Sequence, residues 1–516
     1  MKVIDIKDAI VINLNFTTMK RRNFIRNTGI GTGSILAGGS FFSLLASCTK
    51  GDMMNNNGMN MGGQPLPITE GDFSRLLPIP NTVTGDVSLT AQATTSNVNG
   101  SNISVLGYQA NGILGPTIRV NSGINTNISF RNNLSEKSNI HWHGLKIPAN
   151  MDGHPEDIVN PGSSFNYQFT VNQRAGLNWY HPHPDGATAR QAFQGLAGLF
   201  VVNDSEEEAL NLPSGKFELP LVIQDKRLTS SGITYNPSMG EVMSGYMGET
   251  IIVNGVASPF AEVASRFYRL RILNGSNARI YNLAFSNNTD IIIIGNDGGL
   301  LKNPIAVKNI LLAPGERLDV LVNFAGATIG TEIFLESRVF DNGGSAQGKQ
   351  GFKIMKFKVT QSVNDSFTVP ASLSSINVIP PSSSSKTRIF VINAMQMSNG
   401  MNMTGIHRIN DKIYDSSRID ERVAANATEI WVFDNSQGDE PHPMHLHGVH
   451  FQVLERKSGR AKLTASESGW KDTVLVLPRE TVKIIIPFAT LEGTFVFHCH
   501  NLEHEDDGMM LQYQLA

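Results

Sequence analysis

The chain has 516 residues, with 42 Lys and Arg against 45 Asp and Glu, a net charge of -3 and only 17% charged residues. That length excludes a peptide hormone or a disulfide miniprotein and predicts about three domains, while the charge balance leaves no basic field for nucleic acid. The two cysteines, Cys48 and Cys499, stand at opposite ends, so a disulfide framework does not hold the fold.

In chain order, the first signal is a twin arginine, Arg21-Arg22. It precedes an uncharged, glycine-containing run from Asn27 to Thr49 that ends in Leu45-Ala46-Ser47-Cys48. The run is weakly hydrophobic for a spanning helix. It resembles a twin-arginine export signal joined to a lipoprotein box. The expectation is cleavage before Cys48, lipid on its sulfur, and a mature chain outside the cytoplasm, in the periplasm or cell envelope. The membrane is then met only through that anchor. Residues 1–48 are read as the signal, with Met19 a second candidate start, and 49–70 as a flexible tether built on the Met/Asn/Gly tract Gly51 to Gly63.

Beyond residue 70 there are many Asn-Gly pairs, at Asn99, Asn111, Asn254, Asn274 and Asn342, which favour hairpins between short strands. A proline turn leading into an apolar or alternating strand occurs three times, at Pro161, Pro314 and Pro478. The spacings, 153 and 164 residues, are each about one β-sandwich. Strands are predicted at 127–130, 291–294, 310–312, 319–324, 473–477 and 495–497 from their β-branched and aromatic content. Asp204 to Glu208 reads as a polar linker and Pro380 to Ser385 as a second loop. The prediction is all-β: three consecutive Greek-key sandwiches over 71–205, 206–365 and 366–516.

The histidines carry the chemistry. Eight of the 13 form four His-x-His pairs, His141/His143, His181/His183, His445/His447 and His498/His500. On a strand, residues i and i+2 share a face, so each pair aims two imidazoles in one direction. Imidazole alone suits copper, zinc, iron or nickel. Cys499 decides between them. It lies between two pair histidines, must face the other way, and is followed by His504 and Met509, while His442 stands three residues before His445. Two histidines, a cysteine and a weak axial methionine are the ligands of a blue-copper site. His154, His407 and His450 lie outside the pattern and read as ordinary histidines.

These motifs, His141-Trp142-His143-Gly144, Trp179-Tyr180-His181-Pro182-His183, His442-Pro443-Met444-His445-Leu446-His447-Gly448 and His498-Cys499-His500 through Met509, together with Tyr268 to Arg279, resemble the multicopper oxidase family. The similarity is nearest to bacterial three-domain laccases and cuprous oxidases of the copper-efflux type. The resemblance implies cupredoxin-like domains and four copper ions. His442, Cys499, His504 and Met509 would hold type 1 copper, and His141 and His445 type 2. His143, His181, His183, His447, His498 and His500 would hold the type 3 pair. Asp152 and Glu505 match the family's acids near the oxygen-reducing site. The middle domain offers no ligand and is expected to be a spacer. The implied partners are dioxygen and either Cu(I) or small phenolic reductants, and the chain is expected to be a monomer. Along the strand, Cys499 would relay electrons over about 10 Å to the cluster.

Met395, Met397, Met401 and Met403 place four thioethers within nine residues, and Asn-Gly-Met-Asn-Met occurs at both 57–61 and 399–403. Thioethers select Cu(I), so this segment is a candidate for cuprous-ion capture as well as a candidate bland loop. Met239, Met243 and Met247 are spaced for one helix face over the same site, with packing the favoured reading.

Overall fold

The repeated proline turns are one structure used three times. In each, proline occupies the second turn position and a left-handed residue the third, with φ of 74° at Gly162, 80° at Gly315 and 65° at Arg479. The turns are closed by backbone bonds of 3.0 Å from Ser163 to Asn160, 3.0 Å from Glu316 to Ala313 and 3.1 Å from Glu480 to Leu477. This is type II geometry, which proline at the second position pre-sets. A strand then starts three residues after each proline, at Ser164–Thr170, Arg317–Asn323 and Thr481–Pro487.

The computed structural model describes residues 66–394, 407–488 and 491–516. Six sheets are present among them, of four, five, six, seven, five and five strands. They pair into three sandwiches around separate apolar cores, which run from Val87 to Val202, from Leu212 to Leu373 and from Phe390 to Leu515. The fold is the expected series of cupredoxin-like sandwiches. All six predicted strands fall on observed strands. No helix among the described residues is long and apolar enough to cross a membrane.

Several local expectations need correction. Asp204 to Glu208 is not a solvated linker. Ser205–Ala209 is a helix capped by Asp204, whose side chain accepts the Glu207 N–H at 2.8 Å. Glu207 is buried against Arg269 and Arg271 of the middle domain, each at 2.8 Å. Its charge marks an ion-pair partner, which sequence polarity alone does not distinguish from a loop. Asn254-Gly255 is a hairpin turn, joining Thr250–Val253 to Val256–Ala257. Asn274-Gly275 is not, because the Asn274 side chain ties the backbone of Arg279 and Leu312 at 2.8 and 2.9 Å.

The start of the first domain also differs from the expected residue 71. The strand Arg75–Leu76 pairs in parallel with Pro259–Phe260 and joins the six-stranded middle-domain sheet. Phe73 is buried edge-on against Phe334 at 5.2 Å. Only at Thr82–Val83 does the chain enter the first sandwich, pairing with Thr117–Ile118. Residues 66–81 are therefore a strap over the middle domain. Leu373 likewise belongs to the middle core, past the expected boundary at 365.

Candidate metal centres

Strand alternation sorts the motif residues as expected. Trp142 enters the first core, and Met444, Leu446, Phe497 and Cys499 enter the third, so the intervening histidines face the opposite side. Register then brings pairs together. His141 lies opposite His181 and His445 opposite His498, while Cys499 lies opposite Met444. His183 sits beyond its strand, with its N–H donating to Asn139 Oδ1 at 2.7 Å.

The first and third sandwiches interleave these histidines. His141 stacks on His447 at 3.6 Å between ring centroids, and His143 on His445 at 3.7 Å. Three groups of three have their donor atoms within 4.8 Å of one another: His141/His143/His445, His143/His181/His500 and His183/His447/His498. His183 Nε2 and His447 Nε2 approach His498 Nε2 at 3.2 and 3.1 Å, and His445 Nε2 approaches His141 Nε2 at 3.4 Å. Converging ring nitrogens of this kind suit a shared cation better than hydrogen bonds among themselves. His181 Nε2 and both nitrogens of His500 are buried without any hydrogen-bond partner, a costly arrangement unless a metal satisfies them.

A fourth group lies on the other side of the Cys499 strand. His442 Nδ1, His504 Nδ1 and Cys499 Sγ form a triangle with edges of 3.5, 3.5 and 3.3 Å. Its centre is about 2.0 Å from each corner, a metal–ligand distance. Met509 is buried beside it, and its carbonyl accepts the Cys499 N–H at 3.1 Å. The one-turn helix Leu502–Asp506, capped by Asn501, sends His504 to this triangle and Glu505 to the histidine cluster.

The electrostatics favour metal. Burial is the largest cause holding His143, His181, His183, His442, His447, His500 and His504 well below the ordinary imidazole range, and it brings His445 to about 3. These imidazoles are neutral and ready to ligate. Burial pushes the Cys499 thiol up, so a thiolate there requires a cation in the triangle.

Both candidate acids touch the cluster. Asp152 is buried, with Oδ2 accepting from His447 Nδ1 at 2.6 Å and lying 3.5 Å from His141 Nδ1. Glu505 Oε2 lies 3.0 Å from His498 Nδ1 and Oε1 3.5 Å from His183 Nδ1. Neither is a solvent-facing loop acid.

Sequence reasoning missed Asp472, Arg317, Gly315 and His407. Asp472 is fully buried, 3.2 Å from His143 Nε2, and its carbonyl meets His445 Nδ1 at 3.0 Å. Burial acts to raise its carboxyl, yet Arg317 and His143 hold it well below the usual range. Arg317, from the middle domain, donates to Asp472 at 2.7 and 2.5 Å and to the Leu177 carbonyl at 2.9 Å. The three histidine groups draw on the first and third domains and the Cys499 triangle on the third alone, but the middle domain is more than a spacer. Its Gly315 lies so close that a Cβ would stand 2.9 Å from His500 and 3.0 Å from His143. His407 is buried and stacks on His504 at 3.7 Å, whereas His154 and His450 bond Gln512 and the Gly144 carbonyl and behave as ordinary histidines. A lone histidine at the end of a Met-rich tract, and a single acid in a Trp-Lys-Asp-Thr run, carry no ligand spacing that would single them out.

Models of the multicopper oxidase family match residues 90–207, 234–335 and 384–516. The multicopper oxidase mco of Staphylococcus haemolyticus is 35% identical over 419 residues, covering 80% of this chain and 84% of that protein. The chain belongs to the multicopper oxidase family. A laccase of Bacillus subtilis is 32% identical over 77% of the chain and 87% of its own length. The crystal structure of McoA multicopper oxidase from Aquifex aeolicus superposes with a TM-score of 0.78 at 35% identity, covering 86% of this chain and 99% of that one. This multicopper oxidase is accordingly an oxygen-using oxidoreductase with type 1, type 2 and type 3 copper as its cofactors, four ions in all.

Proposed function

We propose that this oxidase takes single electrons from Cu(I), with small phenolic donors as secondary substrates, in copper tolerance outside the cytoplasm. His442, Cys499, His504 and Met509 would hold type 1 copper. His141 and His445 would hold type 2, and the two remaining three-histidine groups, one of which shares His143 with the first, would hold the type 3 pair. Copper held there would supply one-electron redox chemistry for the reduction of dioxygen to two waters, which takes four electrons and four protons. The protein's part is to insulate the relay and supply protons. Cys499 joins the two sites covalently through His498 and His500. Asp152 Oδ2 holds the His447 Nδ1 proton while Oδ1 has no partner, and Glu505 is placed to pass protons on the side of His183 and His498.

The observation that favours Cu(I) is the roof of the type 1 triangle. The helix Met239–Ser244 lies over it, with the Met243 carbonyl accepting from His504 Nε2 at 3.0 Å. Met239 and Met243 are half-exposed there, whereas Met247 packs with Ala278 and Ala346. Thioethers suit a soft cuprous substrate better than a phenol. The segment 395–403 lies outside the described residues, as do the twin arginine and Cys48. Export, a lipid anchor at Cys48, a monomeric state and domain limits near 80, 205 and 375 are parts of the same proposal, resting on the motifs, the cores and the strap.

A broad-specificity laccase is the second reading, favoured by the Bacillus subtilis relative. A copper-sequestering scaffold without catalysis is disfavoured because the complete donor set is present. The test is steady-state oxidation of Cu(I) and of a phenol by one copper-loaded preparation, with dioxygen consumption followed. Exchanging Met239 and Met243 together for Leu should raise the apparent KM for Cu(I) and leave the phenol KM unchanged. Equal effects on both donors, or none, defeat the Cu(I) reading. Absence of dioxygen uptake with either donor defeats the oxidase reading.

A further inference from the structure

A cavity of about 220 Å³ opens beside the chain segments that follow His143 and His447. Its wall includes Gly448 and Val449, immediately after His447, and Lys146, three residues after His143. Arg174, His450, Trp470 and Pro487 complete it, and the lining contains no carboxylate. Two cations thus face one cleft with no counter-charge in its wall.

Neither cation is fully occupied. Arg174 Nη2 donates to the Leu300 carbonyl at 2.9 Å and the Ser374 hydroxyl at 2.5 Å, with Glu206 4.0 Å away. Its Nη1 is enclosed and has no acceptor. Lys146 is half-buried, and its ammonium has no hydrogen-bond or ion-pair partner among the described residues. Burial, and then the charge of Arg174, hold the Lys146 ammonium below its ordinary range. His450 cannot relieve the pair. It spends Nε2 on the Gly144 carbonyl at 3.0 Å, and burial, then Lys146, bring it to about 4, so it is neutral. Like charges held in a partly dehydrated cleft cost stability until a counter-charge arrives.

We propose that this cleft is a binding site for a small oxyanion of the phosphate class, held between Lys146 and Arg174 against the Trp470 side chain. The volume is several times that of one water molecule, enough for a tetrahedral anion with part of its hydration. The lining of the cleft includes none of the copper ligands, so the anion is not placed on them.

The probe is inorganic phosphate, titrated into the copper-loaded full chain at constant ionic strength set with sodium chloride. Binding is read by calorimetry and by the melting temperature. Wild type should show saturable binding and a phosphate-dependent rise in Tm. Lys146→Gln should weaken binding about tenfold or more, the loss expected for one charge-assisted contact, and Lys146→Arg should retain it. In phosphate-free chloride, Lys146→Gln should melt no lower than wild type, because a repulsion is removed and no contact is lost. The visible type 1 band should be unchanged in both variants. Phosphate binding that persists in Lys146→Gln would place the anion on copper or elsewhere and overturn the proposal. So would a wild-type response no greater than that to chloride, or a Lys146→Gln protein that melts lower without phosphate.

Discussion

Asp152 and Glu505 approach the cluster through the imidazole nitrogens turned away from its centre, Asp152 on His447 and Glu505 on His498. A carboxylate so placed orients the ligand and has an oxygen left for proton traffic. Asp152→Asn and Glu505→Gln should slow reoxidation by dioxygen by about 10- to 100-fold, leaving anaerobic reduction of type 1 copper near wild type, as stopped-flow absorbance would show. Slower anaerobic reduction would instead mean that the triangle itself is disturbed. Cys499→Ser should abolish the visible band and oxidase activity, since burial opposes an anion there and serine offers no thiolate. A blue Cys499→Ser protein would relocate the type 1 site. At this scale the ligands were legible because they are spaced by strand periodicity. Asp472 and His407 were not, because what makes them matter is the side chain each one meets through space, Arg317 from another domain and His504 a hundred residues on.

The proline turn shows how one element acquires different meanings. Gly162 and Gly315 have the same left-handed backbone, yet a Cβ on Gly162 meets nothing within 4 Å while one on Gly315 strikes His500 and His143. Gly162→Ala should therefore cost only the backbone strain, about 1 kcal/mol. Gly315→Ala adds a clash against two cluster histidines and should lower bound copper below four per chain, with the blue band kept. Copper analysis by mass spectrometry and the visible spectrum separate the two. Four coppers in Gly315→Ala would show that the histidines yield without losing their ligand positions. The repeat itself was readable from the spacing of the prolines. Its contact with the cluster was not, since the middle domain contains no histidine motif to advertise it.

Across the whole molecule, charges are buried where sandwiches meet. Arg317 joins all three, and Lys226, also fully buried, reaches the Ala192 carbonyl at 3.3 Å and lies over the Phe193 ring of the first domain at 4.7 Å. Burial brings the Lys226 ammonium down to about 7, against the partial support of Asp225 and Glu503. Between about pH 7 and the usual lysine range, the unfolded chain therefore binds a proton the folded one does not. Stability from this group rises with pH across that window, and its cost is fully present below pH 7. Lys226→Met should raise the melting temperature at pH 6.5, a gain on the order of a few kcal/mol, and the gain should shrink toward pH 10. A pH-independent change would mean that packing, not ionisation, sets the effect.

The strap ahead of Thr82 bears on the order of events at the ribosome. Arg75 and Leu76 are synthesised early, but their partners, Pro259 and Phe260, follow more than 180 residues later. At bacterial-scale elongation rates that gap lasts on the order of 10 s. The first sandwich has its own core and is complete at Val202, so it is able to close while the strap still has nothing to pair with. The segment 66–81 is thus left unpaired during translation and is fastened only when the middle domain emerges, so the molecule's last closure is made by some of the first residues of the folded region.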